Sequence, residues 1–84
     1  MQKGFNSDVA FRGSNYHVQS EDWGLENPFL VSRVFLNGAI VKNIKTSYSE
    51  VLKPSAFRDS QAIRLALVEQ HQRTLDQLVS GQIV

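Results

Sequence analysis

The chemistry available to this chain is narrow: two histidines, one adjacent acidic pair, several hydroxyls and no cysteine. The most suggestive run is Tyr16-His17-Val18-Gln19-Ser20-Glu21-Asp22, from which His17, Glu21 and Ser20 offer a base, an acid and a hydroxyl. Such a trio works as a catalyst when a strained nucleophile turn, a glycine-rich phosphate cradle or a metal-ligand spacing supports it, and none stands nearby. Glu21 and Asp22 are neighbours, so in a strand they point to opposite faces and cannot drive each other's pKa apart. His71 has no metal-ligating residue four positions before or after it, and is read as a neutral core imidazole held by a backbone or hydroxyl partner. The residues therefore predict no catalytic group, no metal site and no cofactor, and a chain that is not an enzyme.

A second set of residues points to binding. Arg33, Lys42 and Lys45 cluster on one segment and, together with Arg12, offer contacts to phosphates. Interleaved aromatics would strengthen that reading by stacking on single-stranded bases, but Phe29 and Phe35 are assigned to the core. Nine basic and eight acidic residues nearly cancel, which removes the strong cationic field of a general nucleic-acid or membrane-surface binder. Nucleic-acid binding through Arg33, Lys42 and Lys45 is thus the alternative reading.

The elements that must position these residues follow from local pattern. In Ser7 to Ser20, Gly13-Ser14 suits a two-residue type II′ turn, which pairs Arg12 with Asn15. Counting outward places Phe11 beside Tyr16 and Val9 beside Val18 on one face, with Ala10 beside His17 and Asp8 beside Gln19 on the other. A second hairpin joins Phe29–Leu36 to Ala39–Thr46 through Asn37-Gly38, the dipeptide best suited to a type I′ turn. That turn pairs Leu36 with Ala39, Phe35 with Ile40, Val34 with Val41, Arg33 with Lys42, Ser32 with Asn43 and Val31 with Ile44. Arg33 opposite Lys42 is a like-charge pair, so either a bulge shifts the register or that face stays partly open. The loop Glu21–Pro28 carries Trp23 and Leu25, expected to cover the sheet edge or the base of a helix.

After a single helical turn around Ser47–Leu52, stopped by Lys53-Pro54, the period changes. Asp59 or Ser60 caps a helix that runs to Ser80 and is ended by Gly81. Ile63, Leu67, His71, Leu75 and Leu78 form its main stripe; Leu65, Val68 and Val79 widen it, while Glu69, Arg73, Asp76 and Gln77 lie largely opposite. The expected fold is a single α+β domain spanning all 84 residues. It consists of a four-stranded antiparallel sheet of two hairpins with one long C-terminal amphipathic helix packed on it.

The apolar arc of that helix is wider than one sheet face needs, and both faces of the second hairpin carry apolar residues. A surplus of this kind predicts a protein-interaction or regulatory module that pairs as a homodimer and meets a protein partner. The candidate surface comprises Leu65, Val68, Val79, Val34 and Val41. No window approaches the ~20 apolar residues of a membrane span, and the N-terminal stretch lacks a secretory pattern, so a cytoplasmic location is expected.

The run Phe5-Asn6, Val9, Gly13 and Tyr16-His17-Val18-Gln19-Ser20-Glu21-Asp22, followed by Gly24, resembles the opening of a family of small bacterial proteins. Glu69-Gln70-His71, with Leu75, Leu78 and Gly81 after it, is similar to that family's ending. The resemblance implies a bacterial, cytosolic protein and carries over no activity, ligand or catalytic residue.

Overall fold

The computed structural model describes residues 4–83. Four strands, β1 (Phe5–Phe11), β2 (Ser14–Asp22), β3 (Phe29–Leu36) and β4 (Ala39–Ser47), form one antiparallel meander in the order β1-β2-β3-β4. A short helix α1 (Tyr48–Val51), a 3-10 turn (Pro54–Ala56) and the long helix α2 (Ser60–Val79) follow. The fold is α+β, with α2 lying across β1, β2 and β3 and the short α1 against β4.

The second hairpin turns at Asn37-Gly38, both at positive φ, as the dipeptide demands. Leu36 faces Ala39 and Phe35 faces Ile40, but the register then shifts at a bulge, so that Val34 faces Lys42 and Arg33 faces Asn43. Val41 is the extra residue, and the bulge separates the two like charges that a regular ladder would have placed side by side. Every β4 residue beyond it is thereby moved to the other face relative to β3.

The first hairpin differs from its predicted register. Its two turn residues are Arg12 and Gly13, with φ of 52° and 80°, so Phe11 pairs with Ser14, Val9 with Tyr16, Asp8 with His17 and Asn6 with Gln19. Two consecutive left-handed residues suit the right-handed twist of the strands, and Arg12 tolerates the position with its guanidinium 4.8 Å from the Phe11 ring centre. The same guanidinium reaches Gly81, beyond the carbonyl end of α2, where a cation is favoured. The slip is by two residues in the pairing, so each side chain keeps its predicted face.

Helix α2 begins where the Asp59 carboxylate accepts from the backbone N–H groups of Gln61 and Ala62, at 3.0 and 3.2 Å. It ends in a Schellman arrangement: Gln82 N–H donates to Gln77 C=O and Gly81 N–H to Leu78 C=O, with Gly81 at φ 80°. Ser47 and Glu50 form a capping box for α1.

The core between sheet and helix has two apolar clusters. Tyr16, Val18, Val34 and Leu78 form one, toward the hairpin turns; Leu30, Tyr48, Ile63 and Leu67 form the other, toward the loop end. Three sequence expectations are corrected here. Val34 is fully buried, because β3 alternates and its even-numbered residues face α2, so it cannot belong to an interaction surface. Phe29 and Phe35 lie on the opposite, open sheet face and are only half-buried. Trp23 also lies on that open face, beside Glu21, Arg33 and Lys45, while Leu25 is exposed.

Candidate interaction surfaces

Between the two apolar clusters runs a chain of buried polar side chains. His71 Nε2 lies 2.8 Å from Ser7 Oγ on β1, and His71 Nδ1 lies 2.7 Å from Ser20 Oγ on β2. Ser20 continues to Ser32 Oγ on β3 at 2.7 Å, and the Gln70 amide donates to Ser32 Oγ at 3.0 Å and to Leu30 C=O at 3.1 Å. Thr74 donates back to Gln70 C=O at 2.8 Å. A neutral imidazole, one nitrogen donating and the other accepting, suits two flanking hydroxyls that can each play either role. Burial, and after it the charge of His17, pushes the His71 pKa below its ordinary value. The chain fixes α2 against three strands, because sliding the helix would orphan several buried polar atoms.

This arrangement separates the residues from which a catalytic trio was drawn. Ser20 faces α2 and bonds His71, whereas His17 and Glu21 lie on the open face. The His17 ring nitrogens stand 2.9 Å from Asp8 Oδ1 and 3.1 Å from Asn6 Oδ1, both across the β1–β2 ladder. Asp22, the other member of the acidic pair, is buried at the end of β2. Its Oδ1 accepts from the Tyr48 hydroxyl and from Gly24 N–H. Burial first, then the hydrogen bond to Asp22 and its charge, push the Tyr48 pKa up, so the phenol stays a neutral donor. Asp22 and Tyr48 line an open cleft of about 290 Å³ together with Phe57, Arg58, Ser60 and Ile63. The Asp22 carboxylate, shared by Gly24 N–H and the Tyr48 hydroxyl, fastens the β2–β3 loop to α1.

The open sheet face is more aromatic than the sequence pattern indicated. Trp23 Nε1 donates to Glu21 Oε1 at 3.0 Å, and Arg33 and Lys45 lie 5.8 and 5.1 Å from the Trp23 ring centre. Val31, flanked by Glu21 and Lys45 in the ladder, is buried beneath this group. Lys45 Nζ also sits 4.2 Å from the Phe29 ring centre, and Phe35 lies 6.2 Å from His17. Arg33 and Lys45 therefore share a face, but Lys42, an odd number of residues from Lys45 along a regular stretch, projects from the other. Arg33 is also within 3.5 Å of Glu21. The signal that could have found this face is the bulge itself, whose position decides which β4 side chains join β3's odd-numbered residues.

No family model, curated protein or solved structure matches this chain significantly. Among the described residues, no group of three or more His, Asp or Glu side chains is placed to hold a metal ion, and no helix is long and apolar enough to cross a membrane.

Four of the five residues singled out as an interaction surface are exposed: Leu65 (61%), Val79 (51%), Val68 (40%) and Val41 (39%). Ile40, which that set omitted, is exposed at 55%. They fall into two places. Leu65, Val68 and Val79 lie on the side of α2 turned away from the sheet, whereas Ile40 and Val41 lie on β4 beside the Asn37-Gly38 turn.

Proposed function

We propose that this chain is a non-enzymatic protein-interaction module that associates as a homodimer along the outer side of α2. The observation that carries the proposal is the spacing of the exposed stripe. Leu65, Val68, Gln72 and Val79 recur on one line of the helix, in the 3.5-residue rhythm of a helix–helix seam. Leu65 and Val79 each lie seven residues, about two turns, from Gln72. An antiparallel pair with its two-fold axis at Gln72 sets Leu65 of one copy against Val79 of the other, twice, which is the self-complementarity an isologous interface needs. Light scattering across a concentration series is expected to show a dimer, and Val68→Glu with Val79→Glu to give a folded monomer by circular dichroism. A wild-type mass that stays monomeric throughout would remove the proposal.

A second reading, binding of single-stranded nucleic acid, is favoured by the placement of Trp23, Phe29 and Phe35 beside Arg33 and Lys45 on the open face. It predicts that a labelled oligonucleotide binds at low salt, that affinity falls steeply as salt rises, and that Arg33→Ala with Lys45→Ala weakens it. Because Lys42 points from the opposite face, Lys42→Ala should matter less than either. Absence of binding at low salt would end this reading.

A further inference from the structure

Among the described residues, the edge strand β4 has little cover on either face before Lys45, which the Trp23 and Phe29 rings approach. From Ala39 to Lys45 every residue is exposed except the half-buried Ile44, and the short α1 is the helix packed against it. An edge strand turns alternate backbone N–H and C=O groups outward, and proteins commonly guard such edges with lysines, bulges or short strands. β4 has two lysines and a bulge, so edge protection is its plain reading. That reading leaves Ile40 and Val41 unexplained, since a guarded edge has no use for exposed branched apolar side chains beside its charges.

The charge pattern narrows the occupant. Residues 39–47 hold Lys42 and Lys45 and no acidic residue. Pairing β4 with β4 of a second copy would bring four lysines together with no acidic residue on either strand, which disfavours a continuous two-copy sheet. An extended peptide of opposite charge removes that conflict, and its backbone supplies the alternating donors and acceptors that a nucleic acid lacks. Resting on the reading of the chain as an interaction module, we propose that β4 is the docking edge for an extended acidic segment of a partner protein, added antiparallel as a fifth strand. The stretch from Lys42 to Lys45 lies beyond the bulge and is regular, so the two lysines point to opposite faces. The fitting segment reads acid, apolar residue, any residue, acid, then apolar residues: the first acid faces Lys45, the apolar residue faces Ile44, the last acid faces Lys42, and the apolar continuation covers Val41 and Ile40.

The test uses the full chain and a fluorescein-labelled peptide of alternating threonine and valine carrying two glutamates three positions apart. Fluorescence anisotropy at low salt is expected to show saturable binding, weakened about tenfold or more by Lys42→Glu with Lys45→Glu. A peptide with lysines in place of its glutamates should bind the doubly substituted chain and not the original. Backbone amide resonances of β4 should shift on titration, while those of β1 stay in place. Lack of binding, equal binding of both peptides to the original chain, or shifts confined to other strands would overturn the proposal. So would a rise in mass of the original chain, with β4 amide shifts, in the absence of peptide, since β4 would then be occupied by a second copy. Mass measured on the Val68→Glu, Val79→Glu chain separates the two ideas. Peptide binding that persists in that monomer shows the β4 site to be independent of the dimer, and a dimer that forms without binding peptide overturns β4 docking alone.

Discussion

β1 and β4 close opposite sides of the same sheet, yet α2 covers one face of β1 and neither face of β4. On β1 the odd-numbered residues Phe5, Ser7, Val9 and Phe11 turn toward the helix and are half-buried, and Asn6, Asp8 and Ala10 face out. The strand is tied in through Ser7, which bonds His71, and its exposed side is polar or small. On β4 the exposed set mixes Ile40 and Val41 with Lys42, Asn43 and Lys45, so neither side is purely core or purely solvent. The difference teaches that a sheet edge is made safe by what covers its faces as much as by what charges line it. β1 is an edge whose apolar content is spent on the protein's own core, and β4 is an edge whose apolar content is left over.

The contrast breaks most visibly on the covered side. Leu67→Ala removes a fully buried side chain from the cluster with Leu30, Tyr48 and Ile63, and is expected to cost about 2 to 5 kcal/mol in urea unfolding. An unchanged midpoint would mean that α2 does not carry this part of the core. A smaller loss, about 1 to 3 kcal/mol, is expected for His71→Leu, which deprives the Ser7 and Ser20 hydroxyls of their shared partner.

The same histidine gives the covered side a pH dependence that β4 has no means to share. Its folded pKa lies below the unfolded value of about 6.5, so the unfolded chain binds the proton more readily. The stability contributed by the neutral imidazole is complete above about pH 6.5 and declines as pH falls from there toward the folded pKa. Urea midpoints measured from pH 8 to pH 5 should fall for the original chain and fall less for His71→Leu; parallel profiles would show that another group governs the acid limb. The smallest effect belongs to β4. Ile40→Thr is expected to change stability by no more than about 0.5 kcal/mol, and a loss well above that would show that β4 is covered after all.

Much of the frame was legible from local chemistry. The Asn37-Gly38 turn, the Asp59 cap, the Gly81 stop and the single turn after β4 each rest on residues within a few positions of one another, and each stands where the pattern put it. Leu65, Val68 and Val79 were readable as surplus for the same reason: a helix wheel needs only the helix. The first hairpin turns at Arg12-Gly13 and not at Gly13-Ser14 because Gly13 satisfies either turn, and the observed one sets Arg12 beside the Phe11 ring and Gly81 across the fold. Phe29, Phe35 and Val34 differ from expectation because both faces of β3 carry apolar residues, and only the packing of α2 decides which face becomes core.

The amino-acid sequence by itself determined where the four strands, the Asn37-Gly38 turn and the long helix lie, since steric limits on φ and ψ and the periods of 2 and 3.6 act over neighbouring residues. The tertiary structure alone decided that Ser7, Ser20, Ser32, Gln70 and His71 join one buried chain, that Trp23 lies over the open face, and that β4 has little cover before Lys45. Those outcomes depend on partners from separate elements arriving at the same place. Whether a serine is buried and bonded or a valine is left in water is fixed only when the helix has chosen which strands to cover.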